Sequence, residues 1–196
     1  MSKLTTTLGL LTAGLLTTSQ AAAQSDAATI EKALSPLPMD LRADATVYDY
    51  DDNGNRVTMK VGSNHVECRP TNADGFTRCN NVALRARNDL QAKLSADGLE
   101  GEDLQMAMQA AEDQGRIPPR VFGSIAYRRF DTPDRIQYLM VISLPNATAQ
   151  ELGMPLGPQR DNALAGKGTP WMMRSGTSGA HLMIPINGTE YSNTGI

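Results

Sequence analysis

His65 and His181 are the only histidines of this chain, and Cys68 and Cys79 its only cysteines. No centre built on three imidazoles can therefore form, and any histidine chemistry rests on one ring at a time. His181 alternates with Met183 in a β-prone run, and Met172 and Met173 stand a few residues before it. Imidazole and thioether groups brought together from neighbouring strands would suit cuprous ion in an exported protein. The same methionines are ordinary core fillers, and packing accounts for them with fewer assumptions.

Gly176-Thr177-Ser178-Gly179 close to His181 suggests a serine nucleophile with its base, hence a small hydrolase. A nucleophile elbow needs Gly-x-Ser-x-Gly on a strand-to-helix turn, whereas this segment leads into a strand, so a β-turn is expected. Asp49-x-Asp51-x-Asn53-Gly54-Asn55 copies the first half of a calcium loop. Its twelfth position is Lys60, a cation where a bidentate glutamate belongs. A polar hairpin turn is the expectation there. No catalytic motif is found, and the sequence specifies no cofactor.

Cys68 and Cys79 enclose a loop rich in turn formers and are expected to be joined by a structural disulfide, which implies an oxidising compartment. The N-terminus agrees. Lys3, an apolar stretch over residues 4–16, and small residues at Ala21 and Ala23 make a secretory signal peptide, 1–23, cleaved between Ala23 and Gln24. The exported remainder, 24–196, has the length of a single domain, periplasmic or secreted. No stretch after the leader is long and apolar enough to form a membrane helix.

The chain carries a net charge of −3, and Lys3 is the only charge in the leader. That balance gives no basic surface for nucleic acid or anionic membrane. One Trp, five Tyr and three Phe supply too few rings for a stacking platform. The pairs Arg85/Arg87 and Arg128-Arg129 are read as solvated faces.

The elements that would position these residues follow from periodicity. Ser25-Asp26 caps a short helix stopped by Pro36 and Pro38. Strands at 45–50 and 56–61 flank Asn53-Gly54, a strong hairpin signal, and 65–68 leads into the disulfide loop. Helices follow at about 82–95 and from Gly101 to Gly115. Strands are expected at 122–130, 136–144, 171–174 and 181–186, with one helical turn at 148–152 and a long loop at 153–170. Alternation at the last strand puts His181, Met183 and Pro185 on a mixed face, and Leu182, Ile184 and Ile186 on the core face. The pattern predicts one α+β domain, with a mainly antiparallel sheet of five to seven strands, two central helices and one disulfide.

Gly62-Ser63-Asn64-His65-Val66-Glu67-Cys68-Arg69-Pro70 resembles the Gly-x-Asn-x-x-x-Cys-x-Pro segment of an uncharacterised family of small exported bacterial proteins. Residues 139–145 and the block 170–186, ending in His-Leu-Met-Ile-Pro, resemble its later strands. Tyr138 stands where that family tends to have histidine, and Ser178-Gly179 replaces a Pro-aromatic pair. The resemblance implies export, the cysteine pair and the ending strand, and no reaction. The sequence thus points to an exported, non-catalytic binding or structural accessory domain, with a His181 hydrolase and a copper or small-ligand binder as the other readings.

Overall fold

The structure is a computed structural model that describes residues 17–132, 136–155 and 169–186. The first part of the leader and most of the expected 153–170 loop lie outside the described residues. A helix, α1 (Thr17–Leu34), runs through the expected cleavage position and is followed by a turn and a short α2 (Met39–Arg42). The strands are β1 (Thr46–Tyr50), β2 (Arg56–Lys60), β3 (Val66–Arg69), β4 (Phe76–Asn81), β5 (Ile125–Phe130), β6 (Tyr138–Ser143), β7 (Trp171–Met173) and β8 (His181–Pro185). Between β4 and β5 lie α3 (Arg85–Ala96) and α4 (Gly101–Asp113), and α5 (Ala149–Leu152) follows β6.

All eight strands form one sheet in the order β2-β1-β3-β4-β5-β6-β8-β7. The α+β class, the two central helices α3 and α4 and the disulfide are as expected, but eight strands exceed the expected five to seven. The additional strand is β4, Phe-Thr-Arg-Cys-Asn-Asn, which sequence reading left inside the disulfide loop. Its one cysteine and one phenylalanine give no apolar alternation; pairing on both sides, with β3 and β5, makes it a strand.

β1 and β2 form the expected hairpin. Asp51 closes its turn by accepting the backbone N–H groups of Asn53 and Asn55, at 3.0 and 2.8 Å, and the Asn55 amide. Lys93 of α3 binds Asn55 Oδ1, so the calcium-like residues are used up in turn closure and docking. Gly54 has a φ of +70°, and a Cβ there would lie 2.6 Å from the Ala92 carbonyl oxygen. Glycine is required at that position on both counts.

β3 pairs with β1 in parallel, the one parallel contact of the sheet. The chain leaving β2 must therefore cross the N-terminal end of β1 before entering β3. Residues 61–65 make that crossing in direct backbone contact. Ser63 and Asn64 N–H both donate to Asp44 O, at 2.8 and 2.9 Å, and Gly62 N–H donates to Thr46 Oγ1. Asn64 also bonds Leu41 O through Nδ2 and Val66 N through Oδ1. The Gly-x-Asn-x-x-x-Cys segment is thus the crossover itself, pinned at its far end by Cys68.

The two faces of the sheet differ in chemistry. One carries Val47, Val66, Cys68 and Cys79, and is covered by Ala33, Leu34 and Leu37 from α1 and the turn after it. Cys68 and Cys79 are direct cross-strand partners, bonded to each other and inaccessible to water. Replacing both with alanine is expected to cost about 3 kcal/mol, from the chain entropy released by an 11-residue separation. The melting temperature should fall by roughly 6–12 °C with the fold retained. Circular-dichroism melts of the double variant test this; an unchanged midpoint would show that the bond is not structural.

The opposite face is polar over half its width. Tyr48, Tyr50, Arg56, Glu67, Arg69, Arg78, Asn80 and Arg128 point that way by strand alternation and register. α3 is fastened to it by charge: Tyr50 Oη and Arg56 Nε both donate to Asp89, at 2.7 and 2.9 Å, and Arg85 donates to Glu67. α3 and α4 meet through their own small core of Leu90, Leu94, Leu104, Met108, Ala111 and Ile117. Further along the same sheet face, Phe130, Ile136, Leu139, Trp171 and Met183 form a separate apolar cluster.

Candidate functional site: an arginine-walled cleft

β8 begins where a tight turn, residues 174–179, returns the chain from β7. Arg174 opens that turn in the left-handed region, with φ at 53°, a conformation rare outside glycine and asparagine. Thr177 N–H and Oγ1 both donate to Arg174 O, at 3.1 and 2.8 Å, which holds the unusual backbone. Ser175 Oγ accepts Ala149 N–H, and Gly176 N–H donates to Ala147 O, so α5 and its approach anchor the turn. The Arg174 side chain lies across Gly179, where a Cβ would sit 3.3 Å from its Cδ. Backbone strain of this kind concentrates at working sites.

Between this turn, α3 and α4 lies a cleft of about 520 Å³. Arg87, Arg120, Arg174, Gln105, Gln109 and Ser178 supply its polar wall, and Leu104 and Met108 part of its floor. Ser178 Oγ and Gln109 Oε1 join the two sides at 3.2 Å. Arg87 is only 7% exposed, binds Glu112, and keeps a buried Nε–H without a partner. Among the described residues, Arg120 and Arg174 form no ion pair. Glu112, which partly offsets Arg120, already bonds Arg87.

Behind the cleft, Arg69, Arg78 and Arg128 stand opposite one another on β3, β4 and β5. Like charges directly across a ladder repel. Arg69 is balanced by Asp49. Arg78 and Arg128 have no carboxylate partner among the described residues, and Arg128 bonds only neutral groups, Asn80 Oδ1 and the carbonyls of Cys79 and Tyr127. Burial, with repulsion from Arg78 and Arg120, pushes Arg128 down to about 9. Burial also lowers Arg78 and Arg120, with Arg69 acting on the first and Arg87 and Arg174 on the second. Guanidiniums hold their proton at neutral pH, so the site concentrates positive charge in a chain of net negative charge.

His181 lies at the edge of this field, half-buried, with Nδ1 2.8 Å from Gly179 O. A carbonyl only accepts, so Nδ1 carries the proton and Nε2 the lone pair. Burial, with Arg120, Arg174 and Arg128 nearby, lowers its pKa against the opposing Gly179 bond. Ser178 bonds Gln109 and not His181, so the two do not form a nucleophile–base pair in this structure.

The methionines part company. Met173 faces His181 across β7 and β8 on one sheet face, and Met183 faces Trp171. Met172 pairs with Leu182 on the other face, wholly buried against Ala149 and Ala180. The expected division of β8 is corrected as well: Met183 packs into the Trp171 cluster, and Leu182 and Ile184 are only half-buried. Apolar packing lies on both faces here, Met183 beside Trp171 on one and Met172 of β7 against Ala149 of α5 on the other. His65 is exposed in the crossover, far in sequence from this set.

The arginine readings change too. Arg128 and Arg129 point to opposite faces, Arg129 bonding Ser35 Oγ at 2.7 Å, and neither Arg87 nor Arg128 is a solvated side chain. The cleft was missed in sequence because its wall comes from four separate segments. Comparisons with protein-family models, with curated proteins and with solved structures return no match for this chain.

Proposed function

We propose that the protein is an exported, non-catalytic binding domain whose ligand occupies the cleft between α3, α4 and the 174–179 turn. The observation that carries this reading is a concave, polar-walled volume whose Arg120 and Arg174 lack ionic partners among the described residues. Small-molecule sites have this form: a concave surface with apolar floor and a few convergent polar groups. Export rests on the tripartite leader, cleaved between Ala23 and Gln24, and is supported by the Cys68–Cys79 bond. Among the described residues no helix is long and apolar enough to cross a membrane.

A thermal-shift screen of the processed protein against defined sugars, amino acids, organic acids, phosphate esters and polyamines tests the reading. Gln105 is exposed on α4 and lines the cleft, so Gln105→Trp narrows it without changing charge. At least one compound class should raise the melting temperature of the parent protein and lose that effect in Gln105→Trp. Stabilisation that survives the substitution, or none at all, overturns the assignment.

A further inference from the structure

We propose that the group held between Arg120 and Arg174 is an oxyanion of the phosphate class bearing at least two negative charges. The inference rests on the cleft being a ligand site and adds the chemistry of its occupant. The charge arithmetic is local. Of the guanidiniums on the wall, Arg87 is neutralised by Glu112, while Arg120 and Arg174 are not neutralised by any described carboxylate. Arg78 and Arg128, neighbours across β4 and β5, form no ion pair among the described residues and add positive potential. A monocarboxylate would leave the wall cationic, whereas a dianion neutralises it.

Geometry favours the same class. Planar guanidinium forks match the oxygen spacing of phosphate and can each bind two oxygens. Arg174 is held by a strained turn and Arg120 follows Pro118-Pro119, and both guanidinium-bearing residues line the cleft. Assembling uncompensated guanidiniums costs folding energy through desolvation and repulsion, and a bound polyvalent anion offsets it.

Calorimetric titration of the processed protein with pyrophosphate, inorganic phosphate and acetate, at one ionic strength maintained with sodium chloride, tests the class. Pyrophosphate should bind most tightly, phosphate more weakly and acetate not measurably. Arg120→Gln, at the half-buried position, should weaken pyrophosphate by about 30-fold or more, and Arg174→Gln, at the exposed position, by about 5-fold. Arg116→Gln, an exposed arginine bonded to Gln114, should leave it unchanged. Arg120→Gln should also melt no lower than the parent, since it relieves repulsion on Arg128, and that separates lost binding from lost folding.

Glycerol phosphate in solution and phosphatidic-acid vesicles distinguish a free ester from a lipid headgroup as the source of the group. Binding of either that depends on Arg174 supports the assignment. Pyrophosphate binding no tighter than acetate, or an equal loss in Arg116→Gln, overturns it. If a neutral or cationic compound proves sensitive to Gln105→Trp while pyrophosphate fails, the cleft remains a ligand site and only its chemistry is wrong; if nothing binds, both readings fall.

Discussion

Gly62→Ala is expected to destabilise the protein by about 3 kcal/mol or more, although it adds a single methyl group at the start of an exposed loop. A Cβ at this position would lie 2.3 Å from Asp44 O, 2.4 Å from Ala45 C and 2.5 Å from Thr46 N. Each of these is backbone, so no side chain can rotate away. Relief requires lifting the crossover off β1, which breaks the bonds from Ser63 and Asn64 to Asp44 and disturbs the parallel β1–β3 register. The φ of Gly62 lies outside the left-handed region, so the penalty is steric alone. Gly98→Ala is the complement: φ is +91°, and nothing lies within 4 Å of the added carbon. It should cost only about 1–2 kcal/mol, the conformational penalty. Thermal melts of both variants check the ordering, and a Gly62→Ala midpoint above that of Gly98→Ala would show that the crossover is not in tight contact.

The second large effect is expected at Glu67. Its side chain is almost wholly buried, with Oε1 receiving Arg85 Nε and Nη2 at 2.9 and 2.6 Å and Oε2 lying 3.4 Å from Arg56 Nη1. Breaking a buried ion pair by deleting one partner costs about 3–5 kcal/mol, because the remaining charge stays desolvated. Glu67→Ala should fall near the lower end. Arg85 is half-exposed and can turn to water, and Arg56 keeps Asp89. Glu67→Gln preserves the shape and one acceptor and should lose roughly half as much. Urea unfolding provides the measurement; a loss below about 1 kcal/mol for Glu67→Ala would mean that the network contributes no more than a surface pair.

What the sequence made legible was whatever is encoded locally. Asn53-Gly54 announced the hairpin, residues 148–152 the helical turn of α5, and the cysteine pair its bond. β4 was hidden because its polar residues become strand residues only through pairing, Asn80 and Asn81 with β3 and Thr77 and Arg78 with the distant β5. The cleft was hidden for the same reason. Arg87, Arg120 and Arg174 are spread over a helix, a linker and a turn, and none looks unusual alone. Even the Gly-x-Asn segment, which looked like a family mark, acquires meaning only from the parallel pairing that Gly62 must step across.

The two layers that sandwich the sheet will respond differently to their surroundings. α1 is held by apolar contact, so separating it from β1–β4 exposes hydrocarbon and carries a large heat-capacity increment. α3 and α4 keep most of their apolar surface between themselves and touch β1–β3 through Asp89, Arg56, Arg85 and Glu67. Parting that layer exposes charge more than hydrocarbon, so its free energy changes less with temperature. The protein therefore contains one interface whose strength varies steeply with temperature and one whose strength varies less, and the cleft is bounded by the second.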